Sequence, residues 1–373
     1  MLWRKTVALG CALLALTGCG SAGTVDQAGG TDTAEPVVLT MAGIRDAAEA
    51  EDFVAQVERL SGGAVRIEAT RRWRANDPEA EADLVREVRA GTYTLGVVGA
   101  RAWHGLGVRS FDALLAPLEI ADLTLEQAVL GDAGLTSQML QGPAALGLEG
   151  IGILPGPLRR PAGVERQFLG PADYKGAGIA ISAGEVAARS LAALGVTAVR
   201  HAFEGSPVNG FDGVELQIAA VRDNRYDGVL RSLTADVSLW PRPLTIVASR
   251  HALTPDQRDL LRRAALAAVP DSIEFIRSFE QEAISVLCRR DAIKLVTAGP
   301  ERVRELRAAF APVYAWLEED RQTKDFLVRM RALRDRTPAE QALTCPASTG
   351  GTKTAPSATR SPIDGLYEVT WKN

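Results

Sequence analysis

The first part of the chain alternates between the two periods of regular secondary structure, and that alternation constrains the fold more than any other feature. Residues 37–40 are a short apolar run. Residues 45–60 read as a helix, with Phe53, Val57 and Leu60 on one face and Ser61-Gly62-Gly63 ending it. Val65, Ile67 and Ala69 then alternate with Arg66 and Glu68, the period of a half-buried strand. Asp77 and Pro78 suit the N-cap and first turn of a second helix, which turns Leu84, Val85 and Val88 inward before Gly91 and the strand 94–98. A βαβαβ run implies a parallel sheet with helices on its faces, and such sheets bind ligands beyond the carboxyl ends of their strands. Arg101 and Trp103 follow directly on the strand 94–98 and so fall at that edge.

The pattern then repeats. A helical region spans 123–146, and 150–154 reads as a buried strand. Arg159-Arg160-Pro161 enters a loop that should cross into a second lobe, where a strand over 178–182, a helix over 184–194 and a strand near Val199 form another βαβ unit. In the dense stretch 205–249, Asp212 is expected to N-cap a helix whose Val214, Ile218 and Val221 share one face. Pro241 and Pro243 cannot donate ladder hydrogen bonds, so Trp240 and Arg242 should sit in a rigid return crossing before a strand over 244–248. From Pro255 the chain reads as helical for most of its remaining folded length. Val303, Leu306, Phe310, Val313 and Leu317 make one apolar stripe, and Phe326, Leu327, Met330 and Leu333 another.

The two ends speak to compartment. Arg4-Lys5, the apolar run 6–16 and Leu16-Thr17-Gly18-Cys19 have the form of a lipoprotein leader with its lipobox, the apolar run being too short to span a bilayer. Cleavage after residue 18 would leave Cys19 to carry fatty-acyl chains such as palmitate, which anchor a protein stably when two or more are present. Residues 19–35 read as a flexible tether. Removing Cys11 with the leader and committing Cys19 to lipid leaves Cys288 and Cys345, which suggests one disulfide, with two buried free thiols as the alternative. Residues 346–362 form a Ser/Thr/Gly/Pro linker, and Tyr367, Val369 and Trp371 then alternate with polar residues as a lone strand within 363–373.

Several functions are excluded or unsupported by composition and motif. The net charge of −4 becomes more negative once Arg4 and Lys5 are removed, which argues against nucleic acid as a partner. No nucleophile elbow, His-Glu-x-x-His or phosphate-binding loop appears, and His104, His201 and His251 are scattered without metal-ligand spacing. Gly150-x-Gly152-x-x-x-Gly156 misses the dinucleotide fingerprint by one residue. The expectation is a binding protein without catalytic residues, metal or cofactor.

Asp212-Gly213-Val214-Glu215 resembles the "DG-x-E" turn of DctP-type solute-binding proteins of TRAP transporters, and residues 60–67 (LSGGAVRI) resemble that family's Gly-Gly turn into a strand. The resemblance covers about residues 37–343. It implies a two-lobe, type II periplasmic-binding-protein-like α/β fold with parallel-rich sheets flanked by helices and a helical C-terminal part. The expected division is lobe I from 36–155 plus about 240–275, and lobe II with the C-terminal helices from 156–239 plus about 276–345. It further implies a small-molecule ligand, with an organic acid as first candidate, and TRAP-type membrane subunits as partners, with the protein held outside the cytoplasm on the bilayer through Cys19. A sensor or cell-envelope adaptor of the same fold is the alternative. Counting from Lys175-Gly176, the family's carboxylate-clamping arginine falls here at Ala180, so a different guanidinium must replace it if the ligand is an acid. The expected ligand-binding set is Arg101, Trp103, Arg160, Glu215, Trp240 and Arg242.

Overall fold

The computed structural model describes residues 35–44, 47–74, 77, 79–203 and 206–346. The leader, Cys19, the tether to residue 34 and the chain from 347 onward, with its expected strand, lie outside the described residues. In chain order the first elements are β1 (Val37–Gly43), α1 (Ala48–Ser61), β2 (Val65–Thr70), α2 (Ala80–Ala90), β3 (Leu95–Gly99), α3 (Leu123–Gly131), α4 (Ala133–Met139) and β4 (Leu148–Leu154). Next come β5 (Arg160–Gly163), α5 (Pro171–Tyr174), β6 (Gly178–Ile181), α6 (Glu185–Ala193), β7 (Thr197–Arg200), β8 (Gly213–Leu216), α7 (Ile218–Asp223) and β9 (Ser232–Thr234). The chain closes with β10 (Leu244–Ser249), α8 (Pro255–Arg290), β11 (Lys294–Val296), α9 (Gly299–Ala309), α10 (Ala311–Leu317) and α11 (Arg321–Arg334).

Local chemistry sets the βαβαβ entry. Gly62 and Gly91, at φ 60° and 83°, end α1 and α2 in the left-handed region that a side chain makes costly. β1 then pairs parallel with β2 on one side and with β3 on the other. The first sheet has the order β2-β1-β3-β10-β4, with β10 returning antiparallel between β3 and β4. The second has the order β11-β9-β5-β8-β6-β7 and mixes parallel with antiparallel pairs. The result is a two-sheet α/β architecture with flanking helices, as expected.

One expectation fails at Asp212. Residues 213–216 are the strand β8, antiparallel to β5 and parallel to β6, and the helix begins only after Gln217. The Asp212 carboxylate accepts the Gly178 N–H at 2.7 Å and thereby ties β8 to β6. Val214 fits a period of 3.6 with Ile218 and Val221 and a period of two with Leu216, and sheet pairing decides between them. Gly213 allows the approach: a Cβ there would lie 2.3 Å from the Phe168 ring and 2.6 Å from the Ala162 carbonyl oxygen.

Two crossings join the sheets, between β4 and β5 and between β9 and β10. They are stitched together by Arg159 N–H to the Trp240 carbonyl and Leu239 N–H to the Arg159 carbonyl, both 2.8 Å. The long helix α8 forms a third link. Its Leu261, Ala264, Ala265 and Ala268 pack on the first sheet, and its Ala283, Ile284 and Leu287 on the second. Cys288 near its C-terminus is bridged to Cys345, closing a separation of 57 residues. No helix among the described residues is long and apolar enough to cross a membrane.

Candidate functional site

Where the crossings meet the end of β3, a cavity of about 20 Å³ lies between the lobes, room for about one water. Arg101 and Leu115 line it from the side of the first sheet. Arg159, Ser182, Ala183, Gly184, Ala187 and Glu215 line it from the second, and Trp240, Pro241, Arg242 and Pro243 close it from the return crossing.

Its best-anchored group is the Arg159–Glu215–Trp240 unit. Arg159 Nε donates to Glu215 Oε1 at 2.7 Å and Nη2 to Oε2 at 3.0 Å, with both side chains nearly excluded from solvent. Nη2 also reaches Ser182 Oγ at 2.9 Å and the Glu215 carbonyl at 3.0 Å, and Nη1 donates to Gln217 Oε1. The Trp240 indole N–H donates to Glu215 Oε1 at 2.6 Å. One carboxylate therefore orients both the arginine and the aromatic wall.

Arg160, expected at this site, is not there. Its guanidinium is buried against Glu280 of α8, at 3.2 and 3.3 Å. Consecutive residues of an extended chain point to opposite faces. In the β5/β8 register Arg160 sits opposite Leu216, whose side chain belongs to the core under α7 and α8, so Arg159 is left to meet Glu215. Of the Arg-Arg pair the sequence reading named Arg160, whereas the cavity is lined by Arg159. The signal that could have chosen between them is the alternation through Arg160 and Ala162 into that core.

Trp103 is also displaced from its expected place. It is fully buried, donates its indole N–H to Thr245 Oγ1 at 2.8 Å and packs on Phe111 with ring centroids 5.6 Å apart. After β3 the chain tightens into short 3-10 turns at Ala100–Ala102 and His104–Leu106, which turn Trp103 into the core and leave Arg101 at the cavity.

Arg101 bridges the lobes. Its Nη1 lies 2.8 Å from Glu81 Oε2 and donates to the Ala183 carbonyl across the cavity at 3.1 Å. Glu81 Oε1 in turn accepts the Gly99 N–H at 3.0 Å, fixing the arginine to the end of β3. Neither Glu81 nor Ser182 stood out in the sequence, because each is one polar residue within an ordinary helical or loop pattern.

Arg242 enters on a crossing that touches its neighbour closely: a Cβ on Gly156 would lie 1.8 Å from the Arg242 carbonyl oxygen, so only glycine fits. Burial pushes the Glu49 carboxyl above its ordinary range, against which the charge of Arg242 pulls it back in part. Burial also raises Glu126 well above that range; it accepts the Gly156 N–H at 2.9 Å. Ala180, where the expected family pattern has arginine, is fully buried beside Val214 in the apolar core.

Near this interface Trp316 of α10 stacks under Arg189 of α6 at 4.3 Å, with Arg109 at 5.3 Å from its ring and His104 at 5.3 Å between centroids. It thus links α6 to the chain that follows β3. No group of His, Cys, Asp or Glu among the described residues is arranged to hold a metal.

A protein-family model described as bacterial extracellular solute-binding protein, family 7 (DctP), matches residues 45–320. No curated protein matches the chain. Among solved structures, a TRAP periplasmic solute-binding protein from Ochrobactrum anthropi superposes with a TM-score of 0.68 at 17% identity, covering 81% of this chain and 97% of that one. A TRAP solute-binding protein from Shewanella oneidensis with bound succinate gives 0.67 at 16% identity, covering 80% and 99%. One from a Bradyrhizobium species in complex with galacturonate gives 0.67 at 19%, covering 79% and 99%.

Proposed function

Because the chain belongs to the DctP family of bacterial extracellular solute-binding proteins, which are binding proteins and not enzymes, we propose that it captures a small organic acid between its lobes and delivers it to a TRAP-type secondary transporter. The observation that carries this reading is the convergence of three guanidinium groups, Arg101, Arg159 and Arg242, on one interlobe cavity walled by Trp240 and two prolines. Parallel strands present their following loops at a common edge, which is where β3 delivers Arg101. Guanidinium is the side chain best matched to a carboxylate. The succinate, galacturonate and galactonate held by structural relatives are all acids. With a cavity this small, entry requires the lobes to part about the crossings, the hinge motion typical of periplasmic binding proteins.

Attachment to the outer face of the membrane through acylated Cys19 completes the reading, since the lipobox is the anchor the sequence offers. Cell fractionation of Cys19→Ala tests that part; a variant that stays on membranes contradicts it. A thermal-shift screen of organic acids tests the binding. Ligand at a hundredfold excess over Kd raises stability by about 2.7 kcal/mol, enough to move the unfolding midpoint measurably. If no acid shifts it, a sensor or adaptor role takes the place of transport.

A further inference from the structure

We infer that Arg101 takes the ligand's carboxylate on the Nε/Nη2 edge of its guanidinium, and that Glu81 is the positioning residue that presents this edge; this rests on reading the interlobe cavity as the solute site. A guanidinium recognises a carboxylate with two parallel N–H donors, so the arginine that clamps the ligand must have such an edge to give. Arg159 has already given its own. Its Nε and Nη2 make the two-point contact to Glu215, Nη2 also serves Ser182 and the Glu215 carbonyl, and Nη1 is held by Gln217. The carboxylate that suits this fork is supplied by the protein itself, and Arg159 thereby builds the wall. The charge of Arg242 likewise acts inside the protein, on buried Glu49.

Arg101 is held from the opposite side of its guanidinium. Both of its polar contacts among the described residues run through Nη1, to Glu81 Oε2 at 2.8 Å and to the Ala183 carbonyl at 3.1 Å. Nε is buried without a hydrogen-bond partner, and Nη2 makes no polar contact with a described residue. These two nitrogens form the same side-on fork that Arg159 applies to Glu215. A desolvated donor without a partner costs free energy, which a carboxylate arriving on this edge recovers. The position agrees: Arg101 follows β3 at the carboxyl edge of the parallel strands, lines the cavity and reaches across it to the second lobe.

Glu81 decides which edge is offered. It stands on α2 with both oxygens engaged, Oε1 by the Gly99 N–H at 3.0 Å and Oε2 by Arg101 Nη1. A carboxylate fixed to the backbone at the end of β3 can hold a guanidinium in one orientation, and gripping Nη1 leaves the Nε/Nη2 edge for the solute.

The test is titration calorimetry with acids and their primary amides: succinate with succinamide, galacturonate with galacturonamide, and galactonate with galactonamide. An amide keeps the body of its acid and loses the charge and the second equivalent oxygen. The parent should bind the best of the three acids about thirtyfold or more tightly than its amide, the effect of a charge-assisted two-point contact. Arg101→Gln should cut that preference to about threefold or less, and Arg101→Lys, which keeps the charge without the fork, should weaken acid binding about tenfold. Glu81→Gln should weaken the acid about threefold to tenfold and leave the amide within about twofold, a selective loss that loosening of the fold would not produce. Arg159→Lys keeps a charge opposite Glu215 and should weaken both members of a pair together, so that more of the preference survives than in Arg101→Gln. An undiminished preference in both Arg101 variants, or a greater loss of it in Arg159→Lys than in Arg101→Gln, overturns the inference and leaves the solute-binding reading standing. Parental acid binding in Glu81→Gln overturns the positioning role. Failure of all three acids to bind overturns the inference as well, and if the wider acid screen also finds nothing, the organic-acid reading falls with it.

Discussion

Replacing Glu215 by alanine should destabilise the protein by about 4 kcal/mol, the figure for breaking a buried ion pair from one side. Both partners are nearly solvent-free, and the substitution removes the two-point contact to Arg159 and the acceptor of the Trp240 indole N–H. A stranded buried donor adds about 1–3 kcal/mol. Arg159 keeps Gln217, Ser182 and the residue 215 carbonyl, which holds the combined loss near the middle of the pair-breaking range. Urea unfolding at constant m reads the difference directly, and the thermal midpoint should fall by about 6 °C, from an unfolding entropy of about 2.1 cal/mol/K per residue. The double variant Arg159→Met/Glu215→Leu removes both charges and should be less damaged than Glu215→Ala, because no ion is left unpaired. A loss below about 1 kcal/mol in Glu215→Ala, the value of an exposed pair, would refute the reasoning. So would a double variant as unstable as the sum of the singles.

The Cys288–Cys345 bridge should contribute about 4 kcal/mol through the 57-residue separation it closes; reductant should lower the unfolding midpoint, and thiol titration of denatured, unreduced protein should find neither sulfur free. Burial holds Glu126 protonated in the folded state to a pH well above its ordinary 4.5, so its contribution is fully favourable below that value and is lost as pH rises through the folded pKa. Glu126→Gln should therefore be more stable than the parent at neutral pH, with the gain vanishing in acid; equal pH profiles would contradict this. Arg189→Ala removes the 4.3 Å stack on Trp316 and should weaken ligand binding about 2- to 5-fold, the effect of losing about 0.5–1 kcal/mol of cation–π energy from the closed form. Unchanged affinity would mean that this stack does not distinguish open from closed.

Much of the fold was legible because the signals were local. Glycine after α1 and after α2, and the alternation over 65–69, need no tertiary context to be read. The apolar stripe through Leu306, Phe310, Val313 and Leu317 is buried, although Pro312 accompanies a break between α9 and α10 that periodicity alone does not mark. The site was less legible because its geometry depends on strand register and on turns. Arg101, Glu215, Trp240 and Arg242 line the cavity, whereas Arg160 differs from Arg159 by one step of a strand and so faces Glu280. Trp103 follows Arg101 by two residues, yet the 3-10 turn that separates them sends one ring into the core. Val214 fits a helical stripe with Ile218 and Val221 as well as a strand with Leu216, and the pairing partners β5 and β6 lie about fifty and thirty-five residues away in sequence, beyond any local window.

The central claim is that the interlobe cavity is where the solute binds. Calorimetry of the tightest-binding acid against Arg101→Ala, Arg159→Ala and Arg242→Ala, with exposed Arg66→Ala as control, measures it most directly. At least one of the three cavity variants should lose about 30-fold in affinity or more, the cost of about 2 kcal/mol for leaving a desolvated carboxylate unpaired, while Arg66→Ala binds as the parent does. Parental affinity in all three cavity variants, each shown to be folded, would contradict the account and place the solute elsewhere on the protein.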